Sequence, residues 1–195
     1  MNFLAHLYLS GDDEQIIVGN FIADKVKGKN FDSSFEAGIA RGIELHRVID
    51  HFTDTHPLFR KSTARLWSRY RHYSRVIVDM YYDHFLASGW EKYSSETLEQ
   101  YADKIYKIIL NHKTKLPEDI HHITPIMIKY NWLVKYATVE GLGSVFNGMA
   151  KRTTFDSKME FAVEDLILNY SLFQNEFLEF FVDIKQFAKQ KLDEK

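Results

Sequence analysis

The feature that most constrains this chain is the period of its hydrophobic residues. Apolar residues recur at spacings of three and four through most of its 195 residues, prolines occur only at 57, 117 and 125, and strand-like alternation is nearly missing. That pattern dictates amphipathic helices, whose apolar stripes must be buried against one another. At 45% hydrophobic and 15% aromatic residues, the chain can fill a sizeable core without staples. The expectation is an all-α fold: one domain over residues 1–195, built as a bundle of about seven helices.

Polar and glycine-containing clusters punctuate the periodic segments: "SGDDE" at 10–14, "KGKNFDSS" at 27–34, "THP" at 55–57, "SGWEKYSS" at 88–95, "NHKTKLPED" at 111–119, "TVEGLG" at 138–143 and "RTTFDS" at 152–157. Ser33 with Glu36, and Ser157 with Glu160, have the spacing of capping boxes at helix starts. In the last segment Phe161, Leu166, Tyr170, Phe173, Phe177, Phe180 and Phe181 form a stripe expected to be core. Residues 75–86, "RVIVDMYYDHFL", begin with β-branched residues that suit a strand. A lone strand has no partner in this chain, so the segment is read as helix.

Cysteine is absent, which excludes disulfides and thiolate metal sites. Any metal site must use His, Asp, Glu, Asn or backbone oxygen, a donor set for hard or borderline divalent ions. The opening "MNFLAHLYLSGDDE" has no basic residues ahead of its apolar run and is too short to span a bilayer, so a cytoplasmic protein with no membrane partner is expected. A net charge of -2 argues against general nucleic-acid binding.

Helical geometry then groups the polar residues. In "IELHRVIDHFTDTHP", residues 43–57, the apolar Leu45, Val48, Ile49 and Phe52 occupy one arc, and His46, Asp50 and Asp54 form a ridge at its edge with spacing of four. Asn20 and Asp24 repeat the spacing, as do Asp79 and Asp83, with His84 directly after. His6 adds an imidazole inside an apolar run. In a bundle, inward ridges from different helices converge on one site, as metal-binding carboxylates and imidazoles do. The alternative is that each ridge is a salt-bridged surface and each His a satisfied core residue. A second feature is the segment from Pro57 to Val78, with six Lys or Arg and no acid. It reads either as a docking face for an acidic partner or as a solvated helix face.

The motifs "MNFLAHLYLS", "GNFIADKVKG", "GIELHRVIDHFTD", "MYYDHFLASGW", "NWLVKY" and "NGMAKR" together resemble, in order and spacing, the bacterial acyl carrier protein phosphodiesterase family. The resemblance implies an all-helical, HD-domain-like metal phosphohydrolase dependent on manganese, other divalent ions being possible. It would hydrolyse the phosphodiester between 4′-phosphopantetheine and a serine of holo acyl carrier protein, its protein substrate. The chain departs from ordinary HD enzymes in having no His-Asp dipeptide; the reversed doublet Asp83-His84 stands instead.

Ridges and motifs together nominate His6, Asp24, His46, Asp50, Asp83 and His84 as metal ligands. Asp54 and Asp79 are nominated as orienting groups or general base, and Arg47 as a phosphate contact. Arg65, Arg69 and Arg71 are assigned to carrier docking, and Arg152 to a phosphate. Two rival readings are an HD-like phosphohydrolase acting on a nucleotide or other small phosphodiester and a non-catalytic helical interaction module.

Overall fold

The computed structural model describes residues 3–28, 31 and 34–194, which are helical with no strand. In order along the described residues run α1 (Phe3–Tyr8), α2 (Glu14–Ile22), α3 (Ala37–Thr55), α4 (Pro57–Tyr70), α5 (Tyr73–Ser88), α6 (Leu98–Asn111), α7 (Glu118–Lys129), α8 (Trp132–Lys135), α9 (Val139–Ala150), α10 (Ala162–Leu168) and α11 (Tyr170–Asp193). The all-α expectation holds, and residues 75–86 are helical within α5.

The eleven helices exceed the expected seven because single residues break segments that the periodicity runs together. Arg71 (φ 51°) separates α4 from α5 and Asn131 (φ 45°) separates α7 from α8, both in the left-handed region. Asn169 separates α10 from α11, its Nδ2 donating to the Asp165 carbonyl at 3.1 Å. "TVEGLG" is a start rather than a stop: Thr138 Oγ1 accepts from Gly141 N at 3.0 Å and opens α9. Ser157 forms no capping box, because Lys158 turns left-handed (φ 56°) and only a short 3-10 turn follows. Ser33 lies outside the described residues. A capping box does form at Thr97 and Gln100, at the head of α6.

One contiguous apolar cluster draws on all eleven helices. At its centre is α5, buried from Ile77 through Ala87 apart from Asp79, so that most of its circumference, and not one stripe, faces the core. The aromatic stripe of α11 lies against it, with Phe173, Phe177, Phe180 and Phe181 buried, Tyr82 5.2 Å from Phe180 and Tyr81 5.0 Å from Phe173 between ring centroids. Phe161 departs from the stripe and is 39% exposed. No described helix is long and apolar enough to cross a membrane.

The contact that matters most for function is the crossing of α2 and α3. A Cβ at Gly19 would stand 2.0 Å from the Ile39 carbonyl oxygen, and one at Gly42 2.2 Å from the Ile16 carbonyl oxygen. Neither position has room for a side chain, so the two backbones touch. The next residue on α2 is Asn20 and the next turn of α3 carries His46.

Candidate functional site

The crossing delivers Asn20 and Asp24 from one side and His46 and Asp50 from the other. Asp24 lies in the 3-10 turn Ala23–Lys25 that ends α2. His46 Nδ1 is 3.0 Å from the Asn20 carbonyl oxygen and 2.9 Å from Asn20 Oδ1. A backbone carbonyl can only accept, so Nδ1 carries the hydrogen and Nε2 points the other way. Asn20 is fixed in turn: its Nδ2 donates to the His6 carbonyl at 3.1 Å and to Ser10 Oγ at 2.9 Å.

His46 Nε2 meets two carboxylates, Asp24 Oδ1 and Asp50 Oδ2, each at 3.2 Å. Burial alone would lower its pKa, but those carboxylates outweigh it and push the imidazole up to about 9. The hydrogen bond from His46 lowers the Asp24 pKa. Burial opposes ionisation of Asp50, yet bonds from His46 and His6 hold it well below the usual carboxylate range.

His6 arrives on α1, its ring stacked on His46 with centroids 3.9 Å apart and its Nε2–H donating to Asp50 Oδ1 at 3.1 Å. Burial, reinforced by the neighbouring His46 charge, lowers its pKa to about 3, so the ring is neutral at physiological pH. His6 Nδ1 is buried with no hydrogen-bond partner among the described residues. Donor atoms of His6, His46 and Asp50 lie within 4.8 Å of one another. Beside them is a void of about 20 Å³ lined by Phe3, His6, Asn20, Phe21, Asp24 and His46, room for one water-sized species.

The donor set suits a cation. Two imidazoles and two carboxylates converge, one imidazole with its tautomer locked by an orienting partner, as metal-ligating His usually is. The extra proton that His46 Nε2 holds between Asp24 and Asp50 occupies a place where a cation would serve the same two negative charges.

The structure places Asp83 and His84 elsewhere. Both Asp83 oxygens accept backbone N–H groups, from Leu4 at 2.9 Å and Ala5 at 3.0 Å, and burial raises its pKa to about 7. Asp83 therefore anchors the first turn of the helix that carries His6. His84 donates from Nδ1 to the Tyr136 carbonyl at 2.7 Å and accepts at Nε2 from the Tyr170 hydroxyl at 3.1 Å, so both ring nitrogens are engaged. Burial lowers its pKa.

The remaining nominees divide similarly. Asp54 pairs with Arg75 at 2.9 Å. Asp79 has a buried Oδ1, and its carboxyl is pushed up to about 6 by burial, with the charges of Asp50 and Asp54 adding to the rise. Arg47 donates to the Val26 carbonyl at 2.9 Å and lies 4.5 Å over the Phe31 ring. Arg152 donates from Nε to the Gly148 carbonyl at 3.0 Å and lies 6.0 Å from the Trp132 ring centroid.

The basic segment is largely neutralised by acids from distant helices, which its local sequence does not reveal. Arg65 makes a bidentate pair with Glu176 at 2.8 and 2.7 Å and covers the Phe173 ring. Lys61 joins the same carboxylate at 3.3 Å, and Ser62 Oγ donates to it at 2.5 Å. Burial opposes ionisation of Glu176, but these partners lower its pKa overall. Arg69 pairs with Asp165 at 2.8 Å and Glu164 at 3.6 Å. Arg71 alone of the three assigned to docking serves as a helix terminus with an exposed side chain.

Two contributors escaped the sequence reading: Asn20 as the residue that orients His46, and the Gly19–Gly42 crossing that brings them together. The available signal was a lone amide inside the apolar run "IIVGNFI" and a glycine four residues ahead of His46.

The geometry can be set beside known proteins. The family model for acyl carrier protein phosphodiesterase matches residues 1–184. A relative named acyl carrier protein phosphodiesterase from Photorhabdus laumondii is 31% identical over 192 residues, covering 98% of this chain and 96% of the relative. Those of the same name from Serratia proteamaculans and Yersinia pestis are each 30% identical over 192 residues, covering 98% of this chain and 99% of the relative. No solved structure matches the chain. With the family model spanning nearly its whole length and relatives aligned end to end, the chain belongs to the acyl carrier protein phosphodiesterase family.

Proposed function

We propose that this chain hydrolyses the phosphodiester joining 4′-phosphopantetheine to a serine of holo acyl carrier protein, giving apo carrier and free 4′-phosphopantetheine. Residues 1–195 act in this reading as one catalytic domain, in the cytoplasm. His6, Asp24, His46 and Asp50 hold a divalent cation, manganese being the ion that the family resemblance implies, while the mixed nitrogen and oxygen set also suits other divalent metals. The observation that carries the proposal is the convergence of His6, His46 and Asp50 within 4.8 Å in a member of this family.

A divalent cation supplies what hydrolysis of an anionic ester needs, a lowered pKa for the attacking water and positive charge against the phosphoryl oxygens. The protein residues do the rest. Asn20 keeps Nδ1 of His46 protonated, so that Nε2 faces the cluster. Asp83 holds α1, and with it His6, in register. Asp79, raised to about 6 and within the field of Asp50 and Asp54, is the carboxyl poised to exchange a proton near neutral pH. Arg47, Asp54, Arg65 and Arg69 act in this reading through the structural contacts described above.

Intact-mass analysis of holo acyl carrier protein tests the proposal. Incubation with the protein and manganese should remove the mass of 4′-phosphopantetheine, and chelator or Asp50→Ala should prevent the loss. An unchanged carrier with a metal-loaded enzyme that cleaves small phosphodiesters would favour the nucleotide-type rival. No metal uptake and no cleavage would favour the interaction module.

A further inference from the structure

Beside the cluster lies a groove that the chemistry described so far does not use. Phe3, which lines the void next to His6 and His46, stands 6.5 Å from Trp132 between ring centroids. Trp132 in turn walls a groove of about 290 Å³ with Tyr130, Lys135, Val145, Gly148 and Arg152, formed by α7, α8, α9 and their connections. That volume lies just below the range of about 300–1,000 Å³ for drug-sized small-molecule sites. Two neighbouring aromatic rings, Phe3 and Trp132, thus stand between the candidate ligands and the groove.

The walls combine apolar surface with donors. Lys135 lies 5.2 Å from the Tyr130 ring centroid. Arg152 is anchored through Nε, and its two terminal nitrogens make no hydrogen bond among the described residues. Gly148 adds a telling detail. Gly19, Gly42 and Gly141 sit in helices because a Cβ would strike a backbone oxygen at 2.0 to 2.2 Å, whereas a Cβ at Gly148 meets nothing within 4 Å. Glycine weakens a helix interior, and here no neighbour in the chain requires it. Its effect is to leave a notch in the groove wall.

We infer that this groove takes the pantetheine arm of the carrier substrate, with Trp132 and Val145 against its gem-dimethyl and methylene groups and Lys135 and Arg152 donating to its amide carbonyls. The inference rests on the phosphodiesterase reading. In that reaction the serine oxygen is the leaving group and the arm stays bonded to phosphorus, projecting away from the carrier serine, so it must run from the cluster into an adjoining cleft of the enzyme. An arm with two amide carbonyls and a compact apolar branch matches a wall that alternates aromatic rings with fixed cations.

The test uses pantetheine itself, which lacks the phosphate and so reports on the groove rather than on the metal site. In ¹⁵N-labelled full-length protein, titration with pantetheine should shift the Trp132 indole resonance saturably and leave those of Trp67 and Trp90 in place. Gly148→Leu, whose Cβ meets nothing within 4 Å and whose remaining side chain occupies the notch, should weaken this binding at least tenfold and raise KM for holo carrier similarly, with an unchanged circular dichroism spectrum and a Tm no lower than that of wild type. No shift at Trp132, or a shift indifferent to Gly148→Leu, overturns the inference even if holo carrier is cleaved. Pantetheine binding at Trp132 by a protein that cannot cleave holo carrier supports the groove and overturns the phosphodiesterase reading instead.

Discussion

Two sets of the same residue types lie within this bundle and have opposite fates. In the first, His6, Asp24, His46 and Asp50 face one another beside a void, and a shared proton holds the carboxylates to His46. In the second, Asp83 and His84 are buried more deeply than Asp24 and Asp50, and every donor or acceptor atom faces a backbone group or a tyrosine hydroxyl. Titratable side chains near a core become ligand candidates when their polar atoms converge on each other. They become architecture when the fold already satisfies them.

The comparison is broken most forcefully by exchanging the phenotypes of the two sets. Asp50→Asn should lower metal-dependent turnover by more than the about 10- to 100-fold typical of losing an orienting residue, while the helical circular dichroism spectrum is kept. His84→Gln should leave turnover within a few-fold of wild type. Next in size is Asp83→Ala, which strands two buried N–H groups at the start of α1. At about 1–3 kcal/mol for each unsatisfied group, chemical denaturation should show a loss of roughly 4 kcal/mol, with weaker metal binding as His6 loosens.

A smaller effect sharpens the role of the orienting amide. Asn20→Ala should weaken metal affinity about 10- to 100-fold, measured by competition with a chelating dye. Asn20→Asp should recover part of the loss, because a side-chain acceptor for His46 Nδ1–H returns beside the backbone carbonyl that both variants keep.

How much of this was legible in the sequence follows from the range over which each signal acts. Helical class is written locally, in the three-and-four spacing, and so was the ridge of His46 and Asp50. Breaks at Arg71 and Asn131 were not, because single non-glycine residues in the left-handed region leave little trace in a hydrophobic pattern. Nor was the fate of the basic segment, whose acids Glu176 and Asp165 lie about a hundred residues away. Asp83 shared the spacing of the cluster members and His84 followed it directly, and only the tertiary position of α1 and of Tyr136 distinguishes them.

A further expected effect is on pH dependence. The folded pKa of Asp83, about 7, lies above its unfolded value of about 3.9. A raised carboxyl contributes stability that is fully present below the unfolded value and is lost as pH rises through the folded one. The stability of wild type relative to Asp83→Asn should therefore decline between pH 4 and about 7, followed by urea denaturation across that range.

The central claim, that the first set holds the cation and the second does not, is tested most directly by metal content. Wild type, Asp50→Asn and His84→Gln, each folded by circular dichroism, would be loaded with manganese, desalted and analysed by elemental mass spectrometry. The account predicts bound manganese in wild type and His84→Gln and its loss in Asp50→Asn. Manganese retained by Asp50→Asn, or lost from His84→Gln, would contradict it.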